Sequence, residues 1–273
     1  MRHLVRPALA AAALAAMPLP ESAAAADKSD VAKFMETGIC PGCDLRRASL
    51  NRLNKPGVNL EKAMLRDVDG KEAVLPKANF AGADLRRADF EKADFGGANF
   101  SKALLAGADL EKANFAGADL SRADLSEADL EKAEFLDANL SGAVLSGVLA
   151  KRSTFAGSDL AGADLSRGRL ERSDLTGVRM QKANLQNADL ERTVFRDADL
   201  SGADFSGARA TRAEFQGANL VGARFGDTLL RLADFSRADL TDARGLDQEM
   251  LNTACGDAET RLPDGLKVPM CAK

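Results

Sequence analysis

Few residues in this chain have types and spacings that could carry covalent or metal chemistry. There are four cysteines, two of them in Cys40-Pro41-Gly42-Cys43, and the single histidine, His3, lies near the N-terminus. A C-x-x-C pair can run thiol–disulfide exchange when a lowered pKa turns one sulfur into a thiolate. That chemistry belongs to a strand–helix–strand setting which the flanking residues lack, so a thiol–disulfide enzyme using Cys40 and Cys43 is the secondary expectation. A structural zinc takes four Cys or His ligands; each end of this chain offers two cysteines, Cys255 and Cys271 being the second pair, with no histidine near either pair in sequence. The body of the chain also lacks the side chain that most often moves protons near neutral pH. No catalytic, cofactor-binding or metal-ligating set is expected, and the chain reads as a non-enzyme without a cofactor. With 37 Lys plus Arg against 41 Asp plus Glu in 273 residues, a generally basic nucleic-acid binder is excluded.

The remaining polar residues are placed by a repeat. From Leu45 to Leu240 almost every position divisible by five is Leu or Phe, the exceptions being Lys55, Gly70, Ala150, Met180 and Ala210. Two residues before each such centre sits a small residue, usually Ala, with Ser153, Ser158, Ser173 and Thr193 as substitutes. Asp or Asn usually lies between them, and two polar or Gly positions follow each centre. A helix cannot use this period, because five steps of about 100° each scatter the centres around its circumference. A strand fails too, since an odd period throws successive centres onto alternate faces. The chain must turn a corner every five residues.

The pattern A(D/N)LXX, as in FAGADLRRADFEKADFGGANF from Phe80 to Phe100, resembles the pentapeptide repeat family over residues 45–244 of the 273. The resemblance implies an all-β fold, a right-handed quadrilateral β-helix in which four pentapeptides make one square coil. Centres and the preceding small residues point inward. Forty repeats then give about ten coils, a rod of roughly 48 Å at the usual strand spacing of ~4.8 Å. Lys55, the Pro56-Gly57 pair and Gly70 predict irregular first coils over 51–75.

Folded at twenty residues, the sequence sorts into columns. One face stacks Phe95, Phe115, Phe135, Phe155, Phe195, Phe215 and Phe235, interrupted by Leu175, which predicts offset ring packing in the core. Gly70, Ala150 and Ala210 fall on the preceding face, where the position after each centre reads Glu91, Glu111, Glu131, Lys151, Glu171, Glu191 and Thr211. Next to these run Lys92, Lys112, Lys132, Arg152, Arg172, Arg192 and Arg212. This straight basic column is either a solvated, ion-paired wall, worth about 0.2–1 kcal/mol per pair, or a strip for an extended anionic partner. The Asp and Asn before each centre are expected to hydrogen-bond at the corners; the Gly-rich nonapeptide of calcium solenoids is absent.

A solenoid leaves strand edges at both ends that need caps. Residues 27–44 and 245–273 are expected to supply them. Ser29 to Thr37 predicts a short helix with Val31, Phe34 and Met35 on one side, and Asp247 predicts a capped helical turn through Leu251. A rod of the implied length keeps its ends apart, which leaves Cys40–Cys43 and Cys255–Cys271 as the disulfide pairs. Residues 1–26 have the order of a secretory signal peptide: Arg2 and Arg6, an apolar stretch from Pro7 to Leu19, then Ala24-Ala25-Ala26. The stretch is too short to span a bilayer. The expected domains are thus a signal peptide (1–26), an N-terminal cap (27–44), the repeat body (45–244) and a C-terminal cap (245–273). The expected function is that of an exported scaffold, periplasmic or secreted, monomeric or homodimeric, offering a flat surface to a protein or anionic polymer of the cell envelope. Some members of the family bind DNA gyrase by imitating DNA; an export signal and a basic column both argue against that alternative here.

Overall fold

The computed structural model describes residues 25–272, so residues 1–24, which carry most of the expected targeting signal, lie outside the described residues. Parallel bridges join residues twenty apart in an unbroken series, from Ile39 with Asn59 to Arg224 with Arg244. Twenty residues therefore complete one coil, and each of its four faces contributes a single bridged residue rather than an extended strand. Within a pentapeptide the small residue donates its N–H back to the previous centre, as Ala83 does to the Phe80 carbonyl at 2.9 Å. Between coils the centre donates to the carbonyl nineteen residues ahead, as Leu85 does to Leu104 at 2.7 Å.

Corners are set by the second residue after each centre. At every one of these positions from Gly42 to Asp242, φ is positive, near +60°. With the backbone bond that spans the corner, this is the geometry of a type II turn. Glycine fits it without strain, yet Lys, Arg, Asp, Glu, Asn and Leu232 adopt it too. The expected corner bonds from the Asx positions are present: Asp94 Oδ1 accepts from the Gly96 N–H at 3.0 Å and Asn99 Oδ1 from the Ser101 N–H at 2.9 Å.

Inside, centres and small residues are closed off from water along the repeat, except at Leu53 and Lys55, which are half-buried. Phe135 stacks on Phe115 at 4.9 Å and on Phe155 at 4.8 Å between ring centroids, with planes within a few degrees of parallel. Phe215 does the same with Phe195 and Phe235. Where Ser or Thr replaces the small Ala, the hydroxyl is satisfied by a backbone carbonyl, of its own corner at Ser153 and of the coil below at Ser158, Ser173, Thr193 and Thr228. Thr193 donates to the Leu170 carbonyl and Thr228 to that of Phe205, both at 2.8 Å.

The ends depart from the sequence-based boundaries in informative ways. The segment 51–75, expected to be irregular, keeps the same bridges and turns as the rest. Lys55 does not break the core, because its Nζ leaves the frame and donates to the Met35 carbonyl at 2.9 Å. Gly70 does not interrupt it either, because the Phe90 ring of the next coil fills its space. The ladder starts earlier than expected, at Ile39, and continues past Arg244 through bridges from Asp234 to Cys255 and from Asp239 to Arg261. Helix α1 (Lys28–Thr37) is capped by Asp27, whose carboxylate accepts from the Ser29 and Asp30 N–H groups, so the cap lies two residues before the expected start. Phe34 is buried beneath it, but Met35 is 48% exposed and not part of the packed side. Asp30 Oδ2 accepts from the Asp44 N–H at 2.8 Å, tying α1 to the first edge. At the other end, α2 (Gln248–Asn252) has Asp247 as its cap and buries Leu251. The open edge there is closed as Leu232, Phe235 and Leu240 donate to the carbonyls of Thr253, Cys255 and Arg261.

Candidate binding surface

Both cysteine pairs are disulfides. Cys40 and Cys43 have Cα atoms 5.4 Å apart, and Cys255 and Cys271 4.8 Å. Cys40 stands in the frame as a centre and Cys43 as the small residue before Leu45, so C-x-x-C is the first pentapeptide of the solenoid, with Gly42 at its corner. Both residues are buried, whereas redox-active cysteines are partly exposed. A carboxylate accompanies each pair, Asp30 at one end and Asp234 at the other. Sulfurs joined to each other are not thiolate ligands, so neither group is set up to hold a metal.

The seven residues of the basic column do lie one coil apart along one face, and all are exposed. Their surroundings, however, divide the column into two unlike halves. In the N-terminal half each lysine is matched: Lys92 Nζ lies 2.6 Å from Glu91, Lys112 2.6 Å from Glu111, and Lys132 2.8 Å from Glu131. Lys112 and Lys132 also reach back to the glutamate one coil earlier, at 3.9 and 3.7 Å. The Lys92 hydrogen bond holds the Glu91 carboxyl below its usual range, and Lys132 does the same for Glu131. Asp109 is pushed up instead, first by burial and then by Asp89 and Asp129 of its own column. This half is the salt-bridged wall.

The C-terminal half is different because the column before the centres changes sign. Where Asp89, Asp109 and Asp129 stood, the chain places Leu149, Arg169, Asp189 and Arg209, and Lys151 takes the place of a glutamate. From Lys151 to Arg212 the face carries Lys151, Arg152, Arg169, Arg172, Arg192, Arg209 and Arg212 against Glu171, Asp189 and Glu191. Among the described residues no carboxylate comes within 4.0 Å of Arg152, Arg172 or Arg212, whereas Arg192 stands 4.0 Å from Glu191 and Arg209 pairs with Asp189. Lys151, Arg152, Glu171, Arg172, Glu191 and Arg209 line a cleft of about 480 Å³. Glu171 is only 8% exposed; its Oε1 faces Arg169 at 3.3 Å and Lys151 at 4.0 Å, and its Oε2 is buried without a hydrogen-bond donor. Sequence reasoning grouped the seven bases and missed Arg169 and Arg209. The switch from Asp to Leu and Arg before the centres was the available signal. It also missed a cleft of about 520 Å³ on another part of the rod, lined by Lys182, Asp204, Arg224 and Arg244 among others.

No helix among the described residues is long and apolar enough to cross a membrane. Models described as "Pentapeptide repeats" match in eight copies within 57–147 and 211–244, and one described as "Pentapeptide repeat region" matches 148–225. No curated protein matches. Among solved structures, the chain is similar to HetL, a pentapeptide repeat protein involved in heterocyst differentiation regulation in the cyanobacterium Nostoc sp. Strain PCC 7120. The identity is 29% over 86% of this chain and 96% of that one, with a TM-score of 0.62. A pentapeptide repeat protein of the Arabidopsis thaliana thylakoid lumen is 32% identical over 38% of this chain and 69% of its own, with a TM-score of 0.21. QnrB1, a plasmid-mediated fluoroquinolone resistance protein, is 22% identical over 70% of this chain and 92% of its own, with a TM-score of 0.31.

Proposed function

The chain belongs to the pentapeptide repeat family, whose fold is the right-handed β-helix solenoid, and from that premise we propose that it is a non-enzymatic, exported scaffold of the cell envelope, periplasmic or secreted, that holds a partner on its flat sides. In this reading residues 1–26 are a cleaved signal peptide, and about ten coils form a rod of roughly 48 Å. The observation that carries the proposal is the divided face: a neutralised ladder over Lys92 to Lys132 and, over Lys151 to Arg212 on the same side, a field in which bases outnumber acids and Arg152, Arg172 and Arg212 have no carboxylate within 4.0 Å among the described residues. A wall kept only for solubility has no reason to change sign halfway. The thiol–disulfide reading finds no support, because Cys40 and Cys43 are buried in the frame. The DNA-imitation reading fits poorly with a face whose basic half repels a nucleic-acid-binding groove.

Fractionation of the native host tests this directly. The protein is expected in the envelope or medium with an N-terminus at or near Asp27, and it should capture an envelope component that a Lys132→Gln, Arg152→Gln, Arg172→Gln triple variant releases. A cytosolic protein beginning at Met1, or partners retained equally by the triple variant at low and high salt, would overturn it.

A further inference from the structure

Near the C-terminal end two leucines stand where the frame elsewhere carries polar residues. Leu229 takes the place before a centre that holds Asp109, Asp129 and Asp189 on the same face, and Leu232 takes the corner that holds Lys132, Arg172 and Arg212. They are the most exposed leucines among the described residues, at 59% and 51%. The fold requires neither, since Asp and Lys satisfy the same positions. Leu232 is also the only apolar side chain that a corner holds at positive φ among the described residues, at +62°, a conformation that bulky residues rarely adopt. Single exposed leucines are ordinary, but a cluster of them marks a surface that something covers.

The surroundings of this patch indicate what covers it. A cleft of about 340 Å³ opens between this coil and α2, lined by Leu229, Arg231, Glu249 and Met250 among others. Arg231 and Glu249 are both exposed, and among the described residues neither has an opposite charge within 4.0 Å. The patch therefore has an apolar middle with one unpaired cation and one unpaired anion at its margin. Such a pattern is complementary to itself: after a half-turn the cation of one copy faces the anion of the other, and the leucines meet between them. A polyanion or an anionic bilayer would instead be repelled by Glu249 and by Asp247, which lines the same cleft.

We propose that this patch is an interface with a second copy of the chain: Leu229, Leu232 and Met250 pack on the same residues across a two-fold axis, and Arg231 of each copy faces Glu249 of the other. An apolar middle of three side chains belongs with the small, transient interfaces, so the dimer forms reversibly. The inference does not rest on the scaffold reading, because it uses none of Arg152, Arg172 and Arg192.

Sedimentation velocity of the intact, disulfide-bonded chain at low salt, from about 1 μM to about 1 mM, is expected to show a reversible passage from monomer to dimer. Arg231→Glu and Glu249→Arg should each weaken the dimer by roughly tenfold or more, because either change sets like charges against each other at both symmetry-related contacts. Both changes in one chain keep the net charge, reverse the two pairs and should restore the dimer. Leu229→Asn with Leu232→Gly should again weaken it by roughly tenfold or more. Asn and Gly are ordinary residues at these two places in the frame, and Gly relieves a leucine held at positive φ, so a thermal midpoint kept or raised marks an intact fold. A monomer at every concentration overturns the proposal, as does a dimer that the leucine substitutions leave intact. Single charge variants that dimerise as well as the parent, or a double variant that stays monomeric, overturn the two-fold pairing. A monomer that floats with phosphatidylglycerol vesicles, and stops doing so when the leucines are replaced, assigns the patch to a bilayer and overturns the proposal as well.

Discussion

Gly70 occupies a slot that elsewhere holds Leu or Phe, and a Cβ there would lie 2.2 Å from Cε1 of Phe90, in the same column one coil on. Phe90 thus fills two slots, its own and part of its neighbour's. Gly70→Ala is expected to lower stability by about 1–3 kcal/mol through overpacking, and Phe90→Leu added to it should recover part of that loss. Denaturant midpoints for the four members of this cycle check it; a neutral Gly70→Ala would mean that the ring is not wedged there. Gly70 shows where residue-level reading of the sequence ran out. A small residue in a core slot is legible as an exception, but the compensating neighbour sits twenty positions away and is identified only when the ring orientation is known. The corner positions were hidden for a related reason. Bonds to the adjacent coil hold the second residue after each centre at positive φ whatever its type, so Lys, Arg and Leu232 stand there beside Gly and composition does not announce the conformation.

The elements owe their stability to columns and caps rather than to strands. Phe135 stacks on a ring both above and below, so Phe135→Ala should cost roughly 3–5 kcal/mol. The companion Leu175, which interrupts that column, gives a comparison: Leu175→Ala should fall in the range of about 2–5 kcal/mol without loss of ring stacking. A loss at Phe135 no larger than that of an exposed substitution would show that the centres do not point inward. At the N-terminal cap, Lys55 Nζ donates to the carbonyls of Met35 and Glu36, the last turn of α1. A cation there favours the helix end, so Lys55→Met, although more like the surrounding core residues, should destabilise the chain by about 0.3–1 kcal/mol. Thermal unfolding of the variant checks the sign. The five-residue frame, the inward Leu and Phe positions and the capping Asp247 were all legible, because each follows from apolar spacing or from a single side chain. That Lys55 serves the helix depends on where α1 folds back, which no local pattern specifies, whereas Cys40 and Cys43 stand on the centre and small-residue positions of the same five-residue frame extended by one step.

Across the whole molecule, pH dependence follows from which carboxylates are held low. Burial raises the Asp84 carboxyl, but the Arg86 and Arg66 guanidinium groups bonded to it more than offset this and keep it well below the carboxylate range. Asp44 and Asp67 are lowered by their arginines, and Glu91 and Glu131 by their lysines. A carboxyl lowered in the folded state stabilises it above the unfolded pKa of about 4, and that contribution is lost as pH falls toward the folded value. Asp109, which is raised, contributes in the opposite sense. Since His3 is the only histidine, denaturant midpoints should be flat from about pH 5 to 8 and decline below about pH 4, with Asp84→Asn shrinking the decline. A maximum near pH 6 would contradict this. The bridges between residues twenty apart have a mechanical consequence as well. Their hydrogen bonds run along the axis while the backbone runs across it, so tension applied at the two ends loads those bonds a few at a time, as in peeling. Each coil that lets go surrenders an axial rise of about 4.8 Å and releases twenty residues of slack, about 65 Å when drawn out. Pulled lengthwise, the molecule should yield at low force in increments near 60 Å, paying out like line from a reel rather than snapping as one body.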